Sequence, residues 1–272
     1  MTRLQQRLGA LQSAGRKALV PFMTAGDPSL AATVPVMHAL VEAGADVIEL
    51  GVPFSDPMAD GPVIQRSSEQ ALLRGAGQRY ILDSVRQFRE RDARTPVVLM
   101  GYLNPVEIRG VASFAADAAA AGVDGVLLVD LPPEEADEYR AAFGHHGLAL
   151  ISLASPTTPQ ARLERLCALA DGYLYYVTYA GVTGSAGLDL AAAGERLEQI
   201  RSLGPAPVFA GFGIRDADSA RAIAEHADGV VVGSALVSAM DGSVDVDDAT
   251  ARASAFLRPL RDALDTLAGA VP

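Results

Sequence analysis

The chain of 272 residues has one cysteine, one lysine, four histidines and no run of basic residues. With Cys167 alone, an intrachain disulfide is impossible, and a reducing cytoplasm is the expected compartment. Cys167 falls in a helix-like apolar stretch, 163–169, where packing explains it. Lys17 precedes the first predicted strand, so no lysine stands at a strand end for Schiff-base chemistry. His38, His145, His146 and His226 do not share metal-ligand spacing with acids or the cysteine, and no metal site is expected. No G-x-S-x-G nucleophile pattern occurs. Acids outnumber bases 33 to 22, a net charge of −11, which argues against nucleic-acid or anionic-membrane partners. An anion bound here has to be held locally, by backbone amides. No apolar run reaches membrane-spanning length, and residues 1–17 are polar and helix-like, without the apolar centre of a signal peptide.

Half of the residues are hydrophobic, enough for a sizeable core in one domain. Leu4, Leu8 and Leu11 recur at helical spacing and predict an opening amphipathic helix. Apolar runs then predict eight strands, at 18–24, 47–51, 96–102, 126–130, 148–153, 173–177, 208–211 and 230–233. Helical patterns follow each: to about 43 after the first strand (Pro35 marking a first turn), then 63–75 and 80–91, 111–121, 134–143, 159–170, 191–203, 217–226, and the C-terminal remainder to about 267. One junction recurs, at Gly44-Ala45-Asp46, Gly122-Val123-Asp124-Gly125, Ala170-Asp171-Gly172 and Ala227-Asp228-Gly229, as expected when equivalent units circle an axis. Runs apolar on both faces imply parallel strands buried on both sides. Eight βα units in about 250 residues fit an α/β fold of one domain spanning 1–272, a (β/α)8 (TIM) barrel with an extra N-terminal helix and long loops after strands 2 and 6. A doubly wound open sheet is the alternative, but Thr24-Ala25-Gly26-Asp27-Pro28 is not its G-x-G-x-x-G turn.

The stretch 45–62 organises the rest. Glu49 interrupts the apolar residues Val47, Ile48 and Leu50, and burying a carboxylate there is costly unless it is paired or functional. Pro53, Pro57 and Pro62 exclude regular structure in the following segment, which carries Asp56 and Asp60. An acid on a strand and another on the adjoining loop make a usable acid/base pair; the plain alternative is a satisfied core acid and two turn aspartates. The site of such a barrel lies at the C-terminal ends of its strands. Those ends carry Phe22 and Thr24, Glu49, Met100 and Tyr102, Leu127 and Asp130, Tyr175, Gly211-Phe212-Gly213 and Gly233-Ser234. Mostly apolar or aromatic, they suit a flat apolar substrate gripped by few polar groups. The glycine-bearing segments after strands 7 and 8 fall where these barrels hold phosphate. Gly181 to Gly187, containing Thr183 and Gly184, reads either as a closing lid or as a plain surface loop.

Residues 49–62, Glu-Leu-Gly-Val-Pro-Phe-Ser-Asp-Pro-Met-Ala-Asp-Gly-Pro, resemble the signature of the tryptophan synthase alpha chain family. The resemblance extends in order to Val20-Pro21-Phe22 with Gly26-Asp27-Pro28, Ala180-Gly181-Val182-Thr183-Gly184, Gly211-Phe212-Gly213-Ile214 and Gly233-Ser234-Ala235, while Tyr179 departs from the pattern. It implies retro-aldol cleavage of indole-3-glycerol phosphate to indole and glyceraldehyde 3-phosphate. On that resemblance Glu49 is general acid and base, with a raised pKa, and Asp60 accepts the indole N–H. Phe22, Met100, Tyr102, Leu127, Tyr175, Thr183, Gly211 and Phe212 would bind substrate, with Tyr175 orienting Asp60; Gly184, Gly213, Gly233 and Ser234 would serve the phosphate end. The resemblance also implies a beta-chain partner, in an alpha2-beta2 heterotetramer, that holds pyridoxal phosphate, with no cofactor in this chain. Asp56, Pro57, Asp130 and Pro132 would face that partner, although the prolines equally serve as loop stiffeners. Two other classes compete. A non-catalytic binding activator of a beta chain predicts loss of Glu49 or Asp60, and both are present. An epimerase or indoleglycerol-phosphate synthase would want strand histidines or a strand-end lysine.

Overall fold

The computed structural model describes residues 1–177, 190–211 and 213–268. Its strands are β1 (Ala18–Thr24), β2 (Ile48–Gly51), β3 (Val97–Gly101), β4 (Gly125–Leu128), β5 (Ala149–Leu150), β6 (Ser152–Ala154), β7 (Leu174–Val177), β8 (Val208–Gly211) and β9 (Gly229–Val232). All pairings are parallel, in the order β5-β4-β3-β2-β1-β9-β8-β7-β6. The two ends of that order are one stretch of chain, because β5 and β6 are separated only by Ile151. The sheet is therefore a closed eight-position barrel, as the repeated βα pattern predicts.

The predicted fifth strand divides at Ile151. Ala149 and Leu150 pair with β4, whereas Ser152, Leu153 and Ala154 pair with β7. A tilted barrel strand is staggered against both neighbours, so its lower half meets one ladder and its upper half the other. The loop after the third strand holds a further helix, Leu103–Arg109, that the spacing does not predict. Pro105 sits in its first turn, where a missing N–H is harmless, and Asp130 Oδ1 accepts the Leu103 N–H at 2.8 Å.

Strand periodicity sorts the core into two layers. Leu19, Met23, Ile48, Leu50, Val97, Leu99, Leu174, Tyr176, Val230 and Val232 face outward and pack against the helices. Ala18, Val20, Val47, Val98, Leu127, Ala149, Ile151, Tyr173, Tyr175, Phe209 and Val231 face inward and fill the barrel. The N-terminal helix Arg3–Ser13 begins with a Thr2–Gln5 capping box. Its Leu4, Leu8 and Leu11 join the interior cluster, so this helix plugs the end of the barrel where the strands begin.

Three of the four recurring junctions have a common task. Asp46 accepts the Leu19 N–H at 2.8 Å, Asp124 the Val97 N–H at 2.8 Å and Asp228 the Val208 N–H at 2.9 Å. Each carboxylate thus ties the strand it precedes to the preceding strand of the barrel. Arginines neutralise them: Arg261 at 3.0 Å, Arg16 at 3.2 Å and Arg7 on Asp46; Arg89 at 2.7 Å and Arg3 on Asp124; Arg201 at 2.9 Å on Asp228. Arg3 and Arg7 lie on the N-terminal helix, so the plug is held by charge as well as by leucines. Asp46 is fully buried. Removing one partner of a buried, hydrogen-bonded ion pair costs about 3–5 kcal/mol. Asp46→Ala is therefore expected to lower the thermal midpoint by about 10 °C; an unchanged midpoint in a thermal unfolding scan would show that the junction carries no such load.

Candidate active site

β2 places Glu49 on the interior face, in register with Phe22 of β1 and Val98 of β3. Its side chain is completely buried. Across the barrel the Tyr173 hydroxyl donates to Oε1 at 2.6 Å, while Oε2 is buried and has no hydrogen-bond partner among the described residues. Burial raises the Glu49 pKa from the usual 4.5 to about 7, with the Tyr173 bond opposing the shift. Tyr173 is itself held far above the ordinary phenol value, first by burial and then by Glu49, so it remains a donor. It stacks on Phe209 at 4.4 Å between ring centroids, which fixes the direction of its hydroxyl.

Above this pair lies a cavity of about 310 Å³, open at the strand ends. Phe22, Ile64, Met100 and Tyr175 give it apolar walls, and Gly211, Gly213, Gly233 and Ser234 form its other end. Two glycines let the aromatic rings lie across the barrel mouth. A Cβ on Gly51 would sit 2.5 Å from the Phe22 ring, and one on Gly211 would sit 2.2 Å from the Tyr175 hydroxyl. Gly213 has a φ of +44° and no neighbour where a Cβ would project, so its backbone stands open to a ligand. Glu49 and Leu127 do not line this cavity. They belong to the packed layer one residue pair deeper, below Gly51 and alongside Tyr173.

The loop bearing Asp60 is anchored without a ligand. Asp60 Oδ2 accepts the Tyr102 hydroxyl at 3.0 Å, and the Ala59 N–H donates to the same hydroxyl at 3.0 Å. Phe54 stacks on the Tyr102 ring at 5.1 Å, and Gln65 donates to the Asp60 carbonyl at 2.9 Å. Asp60 borders a recess that shares Phe22, Ile64 and Met100 with the larger cavity. Burial raises its pKa, and the Tyr102 bond pulls the other way. This corrects the sequence expectation in one respect: among the described residues the hydroxyl that orients Asp60 belongs to Tyr102, whereas that of Tyr175 lies over Gly211.

The structure thus brings together Phe22, Met100, Tyr102, Tyr175, Gly211, Gly213, Gly233 and Ser234, with Asp60 at one end and Glu49 and Leu127 beneath. Thr183, Gly184 and Phe212, together with Tyr179 and the segment Gly181 to Gly187, lie outside the described residues. Asp56 is exposed, Pro57 and Pro132 are half-exposed, and Asp130 is exposed while capping Leu103. Among the described residues no cluster of His, Cys, Asp and Glu could hold a metal ion, and no helix is long and apolar enough to cross a membrane. Sequence reasoning missed Tyr173, although it lies two residues before Tyr175 on the same inward face, and it missed Ile64 and Ser68 on the helix Pro62–Leu73, which turns them toward the mouth.

The family model for the tryptophan synthase alpha chain matches residues 8–265. The chain belongs to this family. It is 68% identical over 266 residues to the tryptophan synthase alpha chain of Xanthomonas oryzae pv. oryzae, covering 97% of this chain and 99% of that one. It is 66% identical over 270 residues to the one from Xanthomonas campestris pv. campestris, with the same coverage. The crystal structure of the alpha subunit from Legionella pneumophila str. Paris superposes with a TM-score of 0.92 at 45% identity, covering 98% of this chain and 99% of that one. Tryptophan synthase from Mycobacterium tuberculosis gives 0.86 at 37%, covering 97% and 98%. The family is a lyase family of tryptophan biosynthesis that cleaves indole-3-glycerol phosphate to indole and glyceraldehyde 3-phosphate, and that is the activity of this chain.

The Glu49 environment has a consequence for stability. Its pKa rises on folding, so the buried site favours the protonated acid. The penalty is absent below the unfolded value of 4.5, grows as pH rises from there to about 7, and is constant above. Glu49→Gln removes it and is expected to stabilise the fold at pH 8 by about 1–3 kcal/mol, several degrees in thermal midpoint. The gain should vanish near pH 4.5. A pH-independent difference between the two proteins would contradict the buried-acid description.

Proposed function

We propose that Glu49 moves the protons of the cleavage and that Asp60 steadies the charge that develops on the indole. The observation that carries this is the pairing of a fully buried carboxyl, poised near pH 7 with one oxygen unpartnered, with an apolar cavity directly above it. The indole ring lies between Phe22, Met100 and Tyr175, with the layer of Leu127 below, and the phosphate lies against the backbone of Gly213, Gly233 and Ser234. Thr183, Gly184 and Phe212 complete the substrate shell on the family resemblance.

Protonated Glu49 delivers its proton to indole C3, leaving the ring cationic at nitrogen. Asp60, ionised and fixed by Tyr102, accepts the N–H and stabilises that charge. Glu49, now a carboxylate, takes the proton of the substrate hydroxyl on the carbon attached to C3. The C3–carbon bond breaks, its electron pair restores the aromatic ring, and the hydroxyl carbon becomes the aldehyde. The Glu49 side chain starts one layer below the cavity, so it swings from Tyr173 toward the substrate. Tyr173 and Tyr102 are positioning residues: each holds a carboxylate and neither needs to touch the reacting atoms.

On this reading the partner is a beta chain, in an alpha2-beta2 assembly that couples the two activities allosterically. Asp56, Pro57, Asp130 and Pro132 stand on the mouth side of the barrel. Met58 and Ile108, 86% and 80% exposed, add apolar surface there that a partner would cover. The pyridoxal phosphate belongs to that partner, since Lys17, the sole lysine here, is committed to the Ala227 carbonyl at 2.8 Å at the opposite end of the barrel. A cytoplasmic setting suits the single, buried Cys167.

Indole release from indole-3-glycerol phosphate tests the roles. Glu49→Gln is expected to abolish it while substrate still binds, and Asp60→Asn to reduce it by about 10²–10³. Activity should fall as pH rises through about 7, where Glu49 loses its proton, and again at low pH as Asp60 becomes protonated. Adding a cognate beta chain should accelerate release. Wild-type-like turnover in Glu49→Gln would remove Glu49 from the mechanism, and inactive wild-type chain that binds ligand would favour a non-catalytic activator.

A further inference from the structure

The phosphate end of the cavity holds a charge that neither the glycine pattern nor the acid pair accounts for. Arg215 lines the cavity beside Gly213, Gly233 and Ser234. Among the described residues it is the only charged one that lines this cavity, in a chain whose net charge is −11. Its guanidinium is exposed and makes no ion pair or side-chain hydrogen bond among the described residues, whereas most arginines of this chain are paired. Its main chain is fixed by the Ser219 hydroxyl, which lies 3.2 Å from the Arg215 nitrogen. The neighbouring Asp216 is occupied as a helix cap, accepting the Ser219 N–H at 2.8 Å and the Ser219 hydroxyl at 2.6 Å. The Ser219 bonds, and then the Arg215 charge, hold the Asp216 carboxyl below the usual range, but the Asp216 oxygen is engaged in the helix cap, so the guanidinium has no direct hydrogen bond to it.

We propose that Arg215 is a specificity-determining residue that engages the phosphate monoester of the substrate. This rests on the reading of that cavity end as the phosphate end. Backbone amides supply only partial charges, while a guanidinium supplies a full charge and a fork of donors matched to phosphate oxygens. In an acidic protein it also offsets the long-range repulsion of an incoming dianion.

The test is steady-state cleavage by the full chain and by Arg215→Ala, with inorganic phosphate as a competing probe. For an exposed charged contact the expected change is about a tenfold rise in KM with kcat within about twofold, and a matching rise in the inhibition constant of phosphate. Arg215→Lys should recover most of the loss. Indole-3-glycerol, which lacks the phosphate, should be cleaved equally well by both proteins. Arg94→Ala, the same charge change on a distant exposed surface, should alter nothing. If phosphate competes in the wild-type chain but Arg215→Ala leaves KM and inhibition unchanged, the Arg215 assignment falls alone. An equal effect of Arg94→Ala, or an equal loss with indole-3-glycerol, overturns it too. If phosphate does not compete in the wild-type chain, the reading of the cavity end falls, and the assignment of Arg215 with it.

Discussion

A carboxyl group with no exposed surface, one oxygen on Tyr173 and the other without a partner among the described residues, sets the terms for the rest of this barrel. Water would solvate Glu49 at a pKa of 4.5, and the interior moves it to about 7. That shift stands for about 3 kcal/mol of folding free energy forgone when the group ionises. Such a residue survives only where the surroundings determine its place. Here β2 is locked between β1 and β3, Tyr173 is stacked on Phe209, and the layer is sealed by Phe22 lying over Gly51. The same burial that costs stability keeps a proton available near neutrality, which is the property that acid–base cleavage needs.

The two ends of the barrel divide the work. Where the strands begin, aspartates at the αβ junctions bind strand amides and arginines together, and the N-terminal helix closes the opening with leucines and two more arginines. Charge there is dense and paired. Where the strands end, the described residues that line the cavity and its recess carry little charge: Asp60 on its anchored loop, Arg215 at the far rim, and otherwise apolar rings, a few hydroxyls and bare backbone. A flat heterocycle with an anionic tail suits that distribution, because the rings take the heterocycle and the glycines admit the tail. Stability is concentrated at one end, which leaves the other free to carry an unsatisfied acid.

Much of this was legible in the linear chain, because it depends on local rules. Apolar runs separated by helical patterns mark the eight barrel positions, and an acid within the run 47–51 marks Glu49. What was not legible depends on residues far apart. Tyr173 matters only because the barrel brings it across to Glu49, 124 positions away. The hydroxyl on Asp60 was assigned to Tyr175, yet Tyr102, 42 positions away, supplies it, since loop geometry and not strand order decides which ring reaches. The helix Leu103–Arg109 escaped notice because its Asn-Pro start reads as a loop; a carboxylate on the next βα loop, Asp130, completes it. The division at Ile151 reflects barrel stagger, which no single strand encodes. Arg215 follows the glycines after the seventh barrel position, and only the fold places it on the cavity wall.

The central claim is that the interior holds the Glu49 carboxyl protonated near neutral pH. Carbon-13 NMR titration of the Glu49 side-chain carboxyl in the ligand-free chain, assigned by comparison with Glu49→Gln, tests it most directly. The account predicts a midpoint of about 7, moving lower if a cationic side chain is introduced nearby. A midpoint close to 4.5, the value of a solvated glutamate, would contradict it.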